Sequence, residues 1–399
     1  MGPPVSAAFP PLNAPVTSGR DRNILPHPPG PSKDSFVCSP LRCHPNPSIL
    51  PLTKSSKEIF SIHKPTDRLF YQESLRAWLP PHILDCHAHV GLPGHCGPIS
   101  PERRKAIWAI EVGLSQPWEE LRANYQLLFP EQRVSALVFG GVYREIDIER
   151  NNAYVLAGLS SPENDAHALL VTRPERPAST IAEAMQQGFL GIKPYPDLAP
   201  QGMEQAGIFD FVPRSHLQVL NELKGVLVLH LPRPGRIGDP DNVRELLELS
   251  DTYPSVRLIV AHIGRAYCLP TAQRGLPHLA DRPSIYFDTA ANLNADVFHY
   301  ALETVGPDRL LFGSDLPVTM MRGVREHVGE TYLNYTDAPY SWNVSRKTPE
   351  EEARYTYFLY EELRALISAL QRAGLGREAM RKIMFLNTAG LLGITSHDT

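Results

Sequence analysis

The chain has 399 residues, 42% of them hydrophobic, and its 39 lysines and arginines against 43 aspartates and glutamates give a formal net charge of −4. This composition shows no basic excess that would favour a nucleic-acid partner, and no apolar run reaches the roughly 18 residues of a membrane span. Its five cysteines include no CxxC pair, which favours reduced thiols in a cytoplasmic protein over a disulfide framework.

Proline dominates the first part of the chain. Residues 1–51 hold 13 of the 39 prolines and show no hydrophobic periodicity. Such a segment cannot bury enough apolar surface to offset the entropy lost on ordering. We therefore expect residues 1–58 to form a disordered tail and residues 59–399 to form the folded domain.

From about residue 60, short runs rich in valine, isoleucine and leucine alternate with amphipathic stretches. There are eight such runs: ILDCHAH (83–89), VSALVFGG (134–141), HALLVT (167–172), FLGIKPY (189–195), GVLVLH (225–230), VRLIVAH (256–262), SIYFDT (284–289) and RLLFGSD (309–315). Uninterrupted apolar runs are typical of parallel strands that are covered on both faces. The stretches between them are long enough for a helix and two loops.

Eight strand–helix units predict an α/β protein with a closed (β/α)8 TIM barrel. An open doubly wound sheet is the alternative. No glycine-rich GxGxxG turn follows the first run to support that alternative.

Beyond the eighth run lies a long polar excursion, which we expect to cover part of the barrel mouth. A helix is predicted after it. Thr348 suits the N-cap, Pro349 the first position, Glu351 completes a capping box, and Gly374 suits the helix end. Its apolar stripe is expected to pack on the core.

His87 and His89 end the first run. In a strand, residues two apart project to the same face, so both imidazoles should point the same way. Two imidazoles so placed can take two positions around one metal ion. They can equally be hydrogen-bonded to neighbouring carbonyl groups, and the pair alone does not decide between the two.

Further polar residues lie at the ends of other runs. His230 ends the fifth, His262 the sixth and Asp315 the eighth, while Lys193 lies near the end of the fourth. One histidine at such a position is usually a packed residue of the core or rim. In a barrel, however, all these strand ends meet at one mouth, where barrel enzymes place their chemistry. The joint pattern therefore predicts a shared metal site.

The order HxH, lysine, histidine, histidine and aspartate on successive strands resembles the metal-dependent amidohydrolase superfamily. More narrowly, it resembles the amidohydrolase-related branch, which holds hydrolases and aminocarboxymuconate-semialdehyde decarboxylase-like enzymes. The segments that carry the resemblance are DCHAH, GIKPYP, VLVLHLP, LIVAHIGR and RLLFGSDLP, and the closing KIMFLNTAGLLGI is similar to the terminal helix of that branch. The resemblance covers roughly residues 80 to 395.

The resemblance implies a role for each of these residues. His87, His89 and His230 would bind a divalent ion. Asp315 would be both a ligand and a proton acceptor, and His262 would be a ligand of a second ion or an acid–base residue.

The number and identity of the ions are less defined. Lys193 would join the ligands only if it is carbamylated in a two-ion centre, so one or two ions are both open. Imidazole and carboxylate ligands suit zinc first, with manganese, iron or cobalt as alternatives.

Arginines follow several of the predicted strands. Planar guanidinium groups bind carboxylates through two parallel hydrogen bonds, so we predict a small anionic substrate. Arg265, three residues after His262, is the first candidate for binding it, with Arg233 and Arg173 as further candidates. Solvated loop residues are the alternative for most of these arginines.

The predicted ligands are common to two kinds of enzyme. The first hypothesis is a metal-dependent hydrolase that cleaves a C–N (amide) or lactone bond with an activated water. The alternative is a metal-dependent non-oxidative decarboxylase of a small carboxylic acid. A third hypothesis, a non-catalytic barrel scaffold, has no need of five convergent polar residues. A homo-oligomer is compatible with the sequence, which does not otherwise define the assembly.

Overall fold

A computed structural model of the chain describes residues 64–394, except Glu204 and Val344. The predicted tail, residues 1–58, lies outside the described residues. Of the predicted domain, residues 59–63 and 395–399 lie outside them as well.

Eight parallel strands form one sheet in sequential order. They are β1 (His82–His89), β2 (Arg133–Phe139), β3 (Ala166–Thr172), β4 (Phe189–Pro194), β5 (Val226–Leu229), β6 (Arg257–Val260), β7 (Ile285–Asp288) and β8 (Leu310–Leu311). The segment after β8 returns to β1, where Cys86 N–H donates to the Phe312 carbonyl and His89 N–H to the Leu316 carbonyl, both at 2.9 Å. The predicted (β/α)8 barrel is confirmed, and each predicted run overlaps an observed strand.

Helices occupy the connections between the strands. The helices between β1 and β8 are Pro101–Ala106, Trp108–Val112 and Trp118–Leu128 after β1, Ile148–Gly158 after β2, Ser179–Gln187 after β3, Ile208–Phe211 and Arg214–Leu223 after β4, Pro240–Thr252 after β5, Leu269–Gly275 after β6 and Ala295–Thr304 after β7. Asp147, Asp239 and Asn294 each cap a helix by accepting a backbone N–H group of its first turn. In the part of the chain that the structure describes, no helix is both long and apolar enough to cross a membrane.

The strands are buried on both faces, as continuous apolar runs require. In β5, Leu227 and Leu229 pack with helix residues such as Leu220, whereas Val226 and Val228 belong to a second cluster inside the barrel. All five side chains are fully buried. Burying one valine or leucine side chain stabilises the fold by roughly 1.5–3 kcal/mol, so these two layers stabilise the strands whose ends carry the polar residues.

The excursion after β8 contains a β-hairpin. Its antiparallel strands are β9 (Gly323–Val328) and β10 (Thr331–Thr336). Tyr332 of β10 lines the cavity at the mouth of the barrel, as does Val318 before the hairpin. The excursion therefore covers part of the mouth, as expected.

The predicted C-terminal helix is divided in two. It begins as expected at Thr348, in a capping box with Glu351, but the first helix is only Pro349–Glu352 and a second spans Phe358–Arg372. Between them, the Thr356 carbonyl accepts the N–H group of Gly323 at 3.0 Å. A backbone that pairs with the start of the hairpin cannot also continue the helix, so the single-helix prediction was wrong at this point.

After the second of these helices, the chain continues with Arg377–Arg381 and Asn387–Leu392, and Pro65–Phe70 precedes the barrel. Gly374 follows the helix Phe358–Arg372 with a φ of +69°, as a helix-ending glycine does.

Candidate metal centre

A cavity lies at the carboxyl ends of the barrel strands and has a volume of about 200 Å³. The residues predicted to bind metal or transfer protons all line it: His87, His89, Lys193, His230, His262 and Asp315. A cavity of about 150 Å³ accepts benzene. This cavity therefore has room for a small organic molecule such as a single-ring acid.

His87, His89 and Asp315 approach one another most closely. The Nε2 atoms of His87 and His89 lie 3.5 and 3.4 Å from the same oxygen, Oδ1 of Asp315. One ligand atom of each residue lies within 4.8 Å of the other two. Because zinc–nitrogen and zinc–oxygen bonds are about 2.0–2.2 Å long, donors at these separations fit around one ion.

The ends of β1 and β8 are joined directly, and this brings the three residues together. Asp315 N–H donates to the His87 carbonyl at 2.7 Å, and Ser314 N–H donates to Oδ1 of Asp85 at 2.9 Å. Gly313 lies against His87 so closely that an added Cβ would be 2.8 Å from the His87 Cβ. A larger residue at position 313 would therefore push the two strand ends apart.

Left-handed backbone conformations direct several of these side chains. His262, Arg265 and Asp315 have φ angles of 58°, 62° and 54°. Such a conformation costs roughly 1–2 kcal/mol for a residue other than glycine and is concentrated at functional sites. The turn at residues 262–265 brings both His262 and Arg265 to the cavity.

Backbone carbonyls fix the tautomers of two imidazoles. Nδ1 of His89 lies 3.1 Å from the carbonyl of Gly140, and Nδ1 of His262 lies 2.9 Å from the carbonyl of Ala290. A carbonyl can only accept, so Nδ1 carries the proton in both rings and Nε2 keeps its lone pair. Metal-binding histidines are typically held in this way, and the donors fit a divalent ion.

Asp288, at the end of β7, orients His87 and was missed by the sequence analysis. It is fully buried; its Oδ2 lies 2.9 Å from Nδ1 of His87, and its Oδ1 accepts His262 N–H at 2.6 Å. Burial alone would raise the pKa of Asp288, but the interactions with His87 and His262 outweigh burial and lower it. The signal was present in the sequence, because SIYFDT places an aspartate at a strand end as RLLFGSD does.

His87, His262 and Asp288 form a second group with ligand atoms within 4.8 Å of one another. This group shares His87 with the first. Burial, followed by the nearby charge of Lys193, lowers the pKa of His87 to about 4. His87 is therefore neutral at physiological pH, which is the form that binds a metal.

His230 lines the same cavity but belongs to neither three-residue group. Its ring centroid lies 5.4 Å from that of His262 and 4.8 Å from that of Tyr195. Its buried Nδ1 has no hydrogen-bond partner among the described residues. Buried polar atoms are almost always paired, so this nitrogen is suited to a ligand that the protein itself does not provide.

Lys193 is buried at the wall of the cavity, with its Nζ 4.7 Å from the centroid of the Phe139 ring. Burial lowers its pKa to about 8. A larger share of the amine is therefore neutral than in an exposed lysine, and carbamylation needs the neutral form.

Arg265 lines the cavity. Its Nη1 donates to the carbonyls of Leu231 and Pro232 at 3.0 and 3.2 Å. These bonds hold one side of the guanidinium group against the loop after β5, and its other donors have no hydrogen-bond partner among residues 64–394 as described.

The other two predicted arginines do not line the cavity. Arg233 forms a bidentate ion pair with Glu245, at 2.7 and 3.0 Å. Arg173 donates to the carbonyl of Arg144 at 3.3 Å. Of the three predicted arginines, Arg265 lines the cavity, whereas a carboxylate on the helix after β5 engages Arg233 and a neighbouring carbonyl engages Arg173.

Four tyrosines also line the cavity and were missed, because no strand-end pattern marks them as a group: Tyr143, Tyr195, Tyr267 and Tyr332. Burial raises the pKa of Tyr143, Tyr195 and Tyr267. Their hydroxyl groups therefore stay protonated at neutral pH and can donate hydrogen bonds to an anionic ligand.

The sequence matches the family model described as Amidohydrolase over residues 84–394. No curated protein matches it significantly. Three solved structures have a similar fold. An amidohydrolase from Burkholderia multivorans with bound zinc is 13% identical, and the match covers 78% of this chain and 99% of that chain with a TM-score of 0.50. For 5-carboxyvanillate decarboxylase from Sphingomonas paucimobilis the identity is 12%, the coverage 79% and 100%, and the TM-score 0.49, and for a probable 2-pyrone-4,6-dicarboxylic acid hydrolase from Acinetobacter baumannii the identity is 15%, the coverage 78% and 99%, and the TM-score 0.49. At these identities the similarity concerns the fold alone.

Proposed function

The chain belongs to the amidohydrolase family, and we propose that it is a metal-dependent hydrolase that cleaves a C–N or lactone bond of a small organic anion. The observation that carries this proposal is the convergence of Nε2 of His87 and Nε2 of His89 on one oxygen of Asp315, at 3.5 and 3.4 Å. Two imidazoles whose lone pairs face a carboxylate across a cavity form a site for a divalent cation.

His87, His89 and Asp315 would hold the ion, with His230 as a further ligand. When bound, a divalent ion supplies positive charge that polarises the substrate carbonyl and lowers the pKa of a water molecule. Two imidazoles and a carboxylate suit zinc best among the common divalent ions.

Asp315 is the proposed proton acceptor. Burial alone would raise its pKa, but the neighbouring imidazoles of His89, His87 and His262 outweigh burial and hold the pKa of Asp315 well below its usual range. The carboxylate is therefore ionised at neutral pH. It can take a proton from the attacking water and then deliver it to the leaving group.

His262 is the proposed second acid–base group. Its Nδ1 proton is held by the Ala290 carbonyl at 2.9 Å, so Nε2 is the atom available to the substrate. Nε2 can accept a proton or, once protonated, donate a hydrogen bond to a developing oxyanion.

Arg265 and the tyrosines support an anionic substrate. The guanidinium group has donors left for a carboxylate, and a cavity of about 200 Å³ admits a molecule of single-ring size. Charge-assisted hydrogen bonds of this type are roughly twice as strong as neutral ones.

A non-oxidative decarboxylase is the second candidate. The tyrosine hydroxyl groups and aromatic walls of the cavity favour it, because they suit a hydroxylated aromatic acid. In that reaction Asp315 or His262 would deliver a proton to carbon, and CO2 would be released instead of a hydrolysed product.

Metal analysis combined with a substrate panel tests the proposal. The full chain is analysed for zinc, manganese, iron and cobalt and assayed with lactones, amides and aromatic acids, scoring both hydrolysis and CO2 release. We expect bound metal and hydrolysis, both reduced in a His89→Ala variant. Release of CO2 without hydrolysis would favour the decarboxylase, and a folded protein that binds no metal would favour the scaffold.

A further inference from the structure

The turn 288–292, which begins at the last residue of β7, contacts the Nδ1 atoms of two imidazoles of the candidate metal centre. Asp288 accepts from Nδ1 of His87 at 2.9 Å and from the backbone N–H of His262 at 2.6 Å. The carbonyl of Ala290 lies 2.9 Å from Nδ1 of His262. The position of both rings therefore depends on the position of this turn.

The turn contains a strained residue. Ala291 has a φ of 54°, in the left-handed region that residues other than glycine rarely adopt, and it is 3% exposed. A backbone in this conformation persists only where its surroundings hold it.

Two buried polar side chains hold Ala291, one on each side. Its N–H group donates to Oε2 of Glu362 at 2.8 Å, and its carbonyl accepts from Nη1 of Arg325 at 2.7 Å. Glu362 lies on the helix Phe358–Arg372 and Arg325 on β9. Both elements follow the eight strands in sequence, so side chains from outside the barrel sheet hold the strained turn in place.

The contact of Glu362 reaches His262 through a single peptide group. The N–H of Ala291 and the carbonyl of Ala290 belong to the same peptide bond. Glu362 accepts from one end of this bond and His262 donates to the other. Hydrogen bonds in such a chain polarise one another, so the accepting oxygen of Glu362 both fixes and strengthens the acceptor of His262.

Arg325 also contacts the wall of the cavity. Its guanidinium carbon lies 4.8 Å from the ring centroid of Tyr267 and 4.5 Å from that of Tyr332, and its Nε donates to Oδ1 of Asn334 at 2.8 Å. Tyr267 and Tyr332 both line the cavity. One arginine therefore connects the turn behind the histidines with two aromatic side chains that face a substrate.

We propose that Arg325 and Glu362 are positioning residues of the metal centre. Neither touches the cavity in its own right. They hold the turn 288–292 and through it orient Nε2 of His262 and Nε2 of His87. The inference rests on the proposed metal-dependent function.

Arg325→Lys and Glu362→Leu test the proposal, since leucine fills a similar space but cannot accept the N–H group of Ala291, and Arg309→Lys is the matched control. Arg309 is an arginine of similar burial that, among the described residues, donates only to backbone carbonyls and does not line the cavity. Zinc affinity of the full chain is measured by competition with a chelator, and the tautomer of His262 is read from the ¹⁵N resonances of its ring in the metal-free protein. Thermal unfolding reports the effect of each substitution on stability.

We expect Arg325→Lys and Glu362→Leu each to weaken zinc binding about 10- to 100-fold, as changes to the hydrogen-bond partners of metal-binding histidines do. The double variant should lose less than the product of the two, because both side chains act on the same residue. Arg309→Lys should lower stability without changing zinc affinity. Zinc affinity and His262 tautomer in both variants equal to those of Arg309→Lys would overturn the proposal.

The two readouts separate this inference from the proposed function. If the wild-type chain binds no zinc or other divalent ion, the proposed function fails. The tautomer measurement still decides the inference in that case: mixed tautomers of His262 in either variant support the positioning role, and an unchanged Nδ1–H tautomer in both refutes it.

Discussion

Asp288→Asn tests whether the acceptor behind His87 governs metal binding. Oδ1 of Asp288 accepts the backbone N–H groups of His262 and Ala290 at 2.6 and 3.2 Å, while Oδ2 lies 2.9 Å from Nδ1 of His87. Asparagine offers one oxygen and one NH2 group in the same space. Its oxygen should keep the two backbone bonds, because losing two buried bonds costs more than losing one. The NH2 group then faces His87.

The size of the effect follows from the tautomer of His87. To bind a metal through Nε2, the ring must carry its proton on Nδ1, which in the variant points at another donor. A buried donor without a partner costs roughly 1–3 kcal/mol, and each 1.4 kcal/mol is tenfold in affinity, so zinc binding should weaken about 5- to 140-fold.

Competition with a chromogenic zinc chelator measures this change in the full chain. Asp296→Asn is the control, because Asp296 is an exposed carboxylate that pairs with Arg372 at 2.7 Å, away from the cavity. A surface ion pair contributes about 0–1 kcal/mol to stability, and its loss should leave zinc affinity unchanged. Equal zinc affinity in Asp288→Asn and in the wild type would refute the reasoning.

Three further changes test the substrate contact, the proton acceptor and the pH dependence. Arg265→Ala should raise KM for anionic substrates about 10- to 100-fold, because a charge-assisted hydrogen bond is lost. Arg173→Ala is the control and should leave KM unchanged. Equal KM values in the two variants would show that Arg265 does not bind the substrate. Asp315→Asn should lower kcat about 10²- to 10⁴-fold, and a kcat close to that of the wild type would exclude Asp315 as the proton acceptor. Burial, followed by the charge of Arg325, lowers the pKa of His327 from 6.5 to about 4. As the pH falls through this range, the unfolded chain takes up a proton before the folded chain does, so the stability of the fold decreases. His327→Gln should remove about 1–2 kcal/mol of that loss, after allowance for solvent screening at a half-buried site; urea titrations at neutral and acidic pH check this, and an unchanged pH dependence would contradict it.

The barrel and the position of its mouth were predictable from the sequence because the relevant signals are local. A parallel strand covered on both faces must be apolar throughout, and eight such runs appear at intervals that leave room for helices. The parallel direction of the strands then places every carboxyl end at one face. For this reason residues as distant in sequence as His87, Lys193, His262 and Asp315 could be expected at one cavity before the structure was known.

The helix break and the roles of the arginines were not predictable in this way. The residues 349–372 carry helical signals, yet a backbone bond from Gly323 to the Thr356 carbonyl interrupts the helix. Arg233 follows a strand end as Arg265 does, but Glu245 engages it in an ion pair. In both cases the deciding partner lies on another element, and a local pattern does not contain it.

The sequence alone therefore determined that the strand-end histidines, Lys193 and Asp315 lie at the mouth of the barrel, whereas the tertiary structure decided what each of them can do. Asp288 lies 201 positions from His87, and Glu362 lies 71 positions from Ala291. Which nitrogen of an imidazole keeps its lone pair depends on the acceptor that the fold places behind the ring. That acceptor is set by the packing of distant segments, which hydrophobic periodicity does not describe.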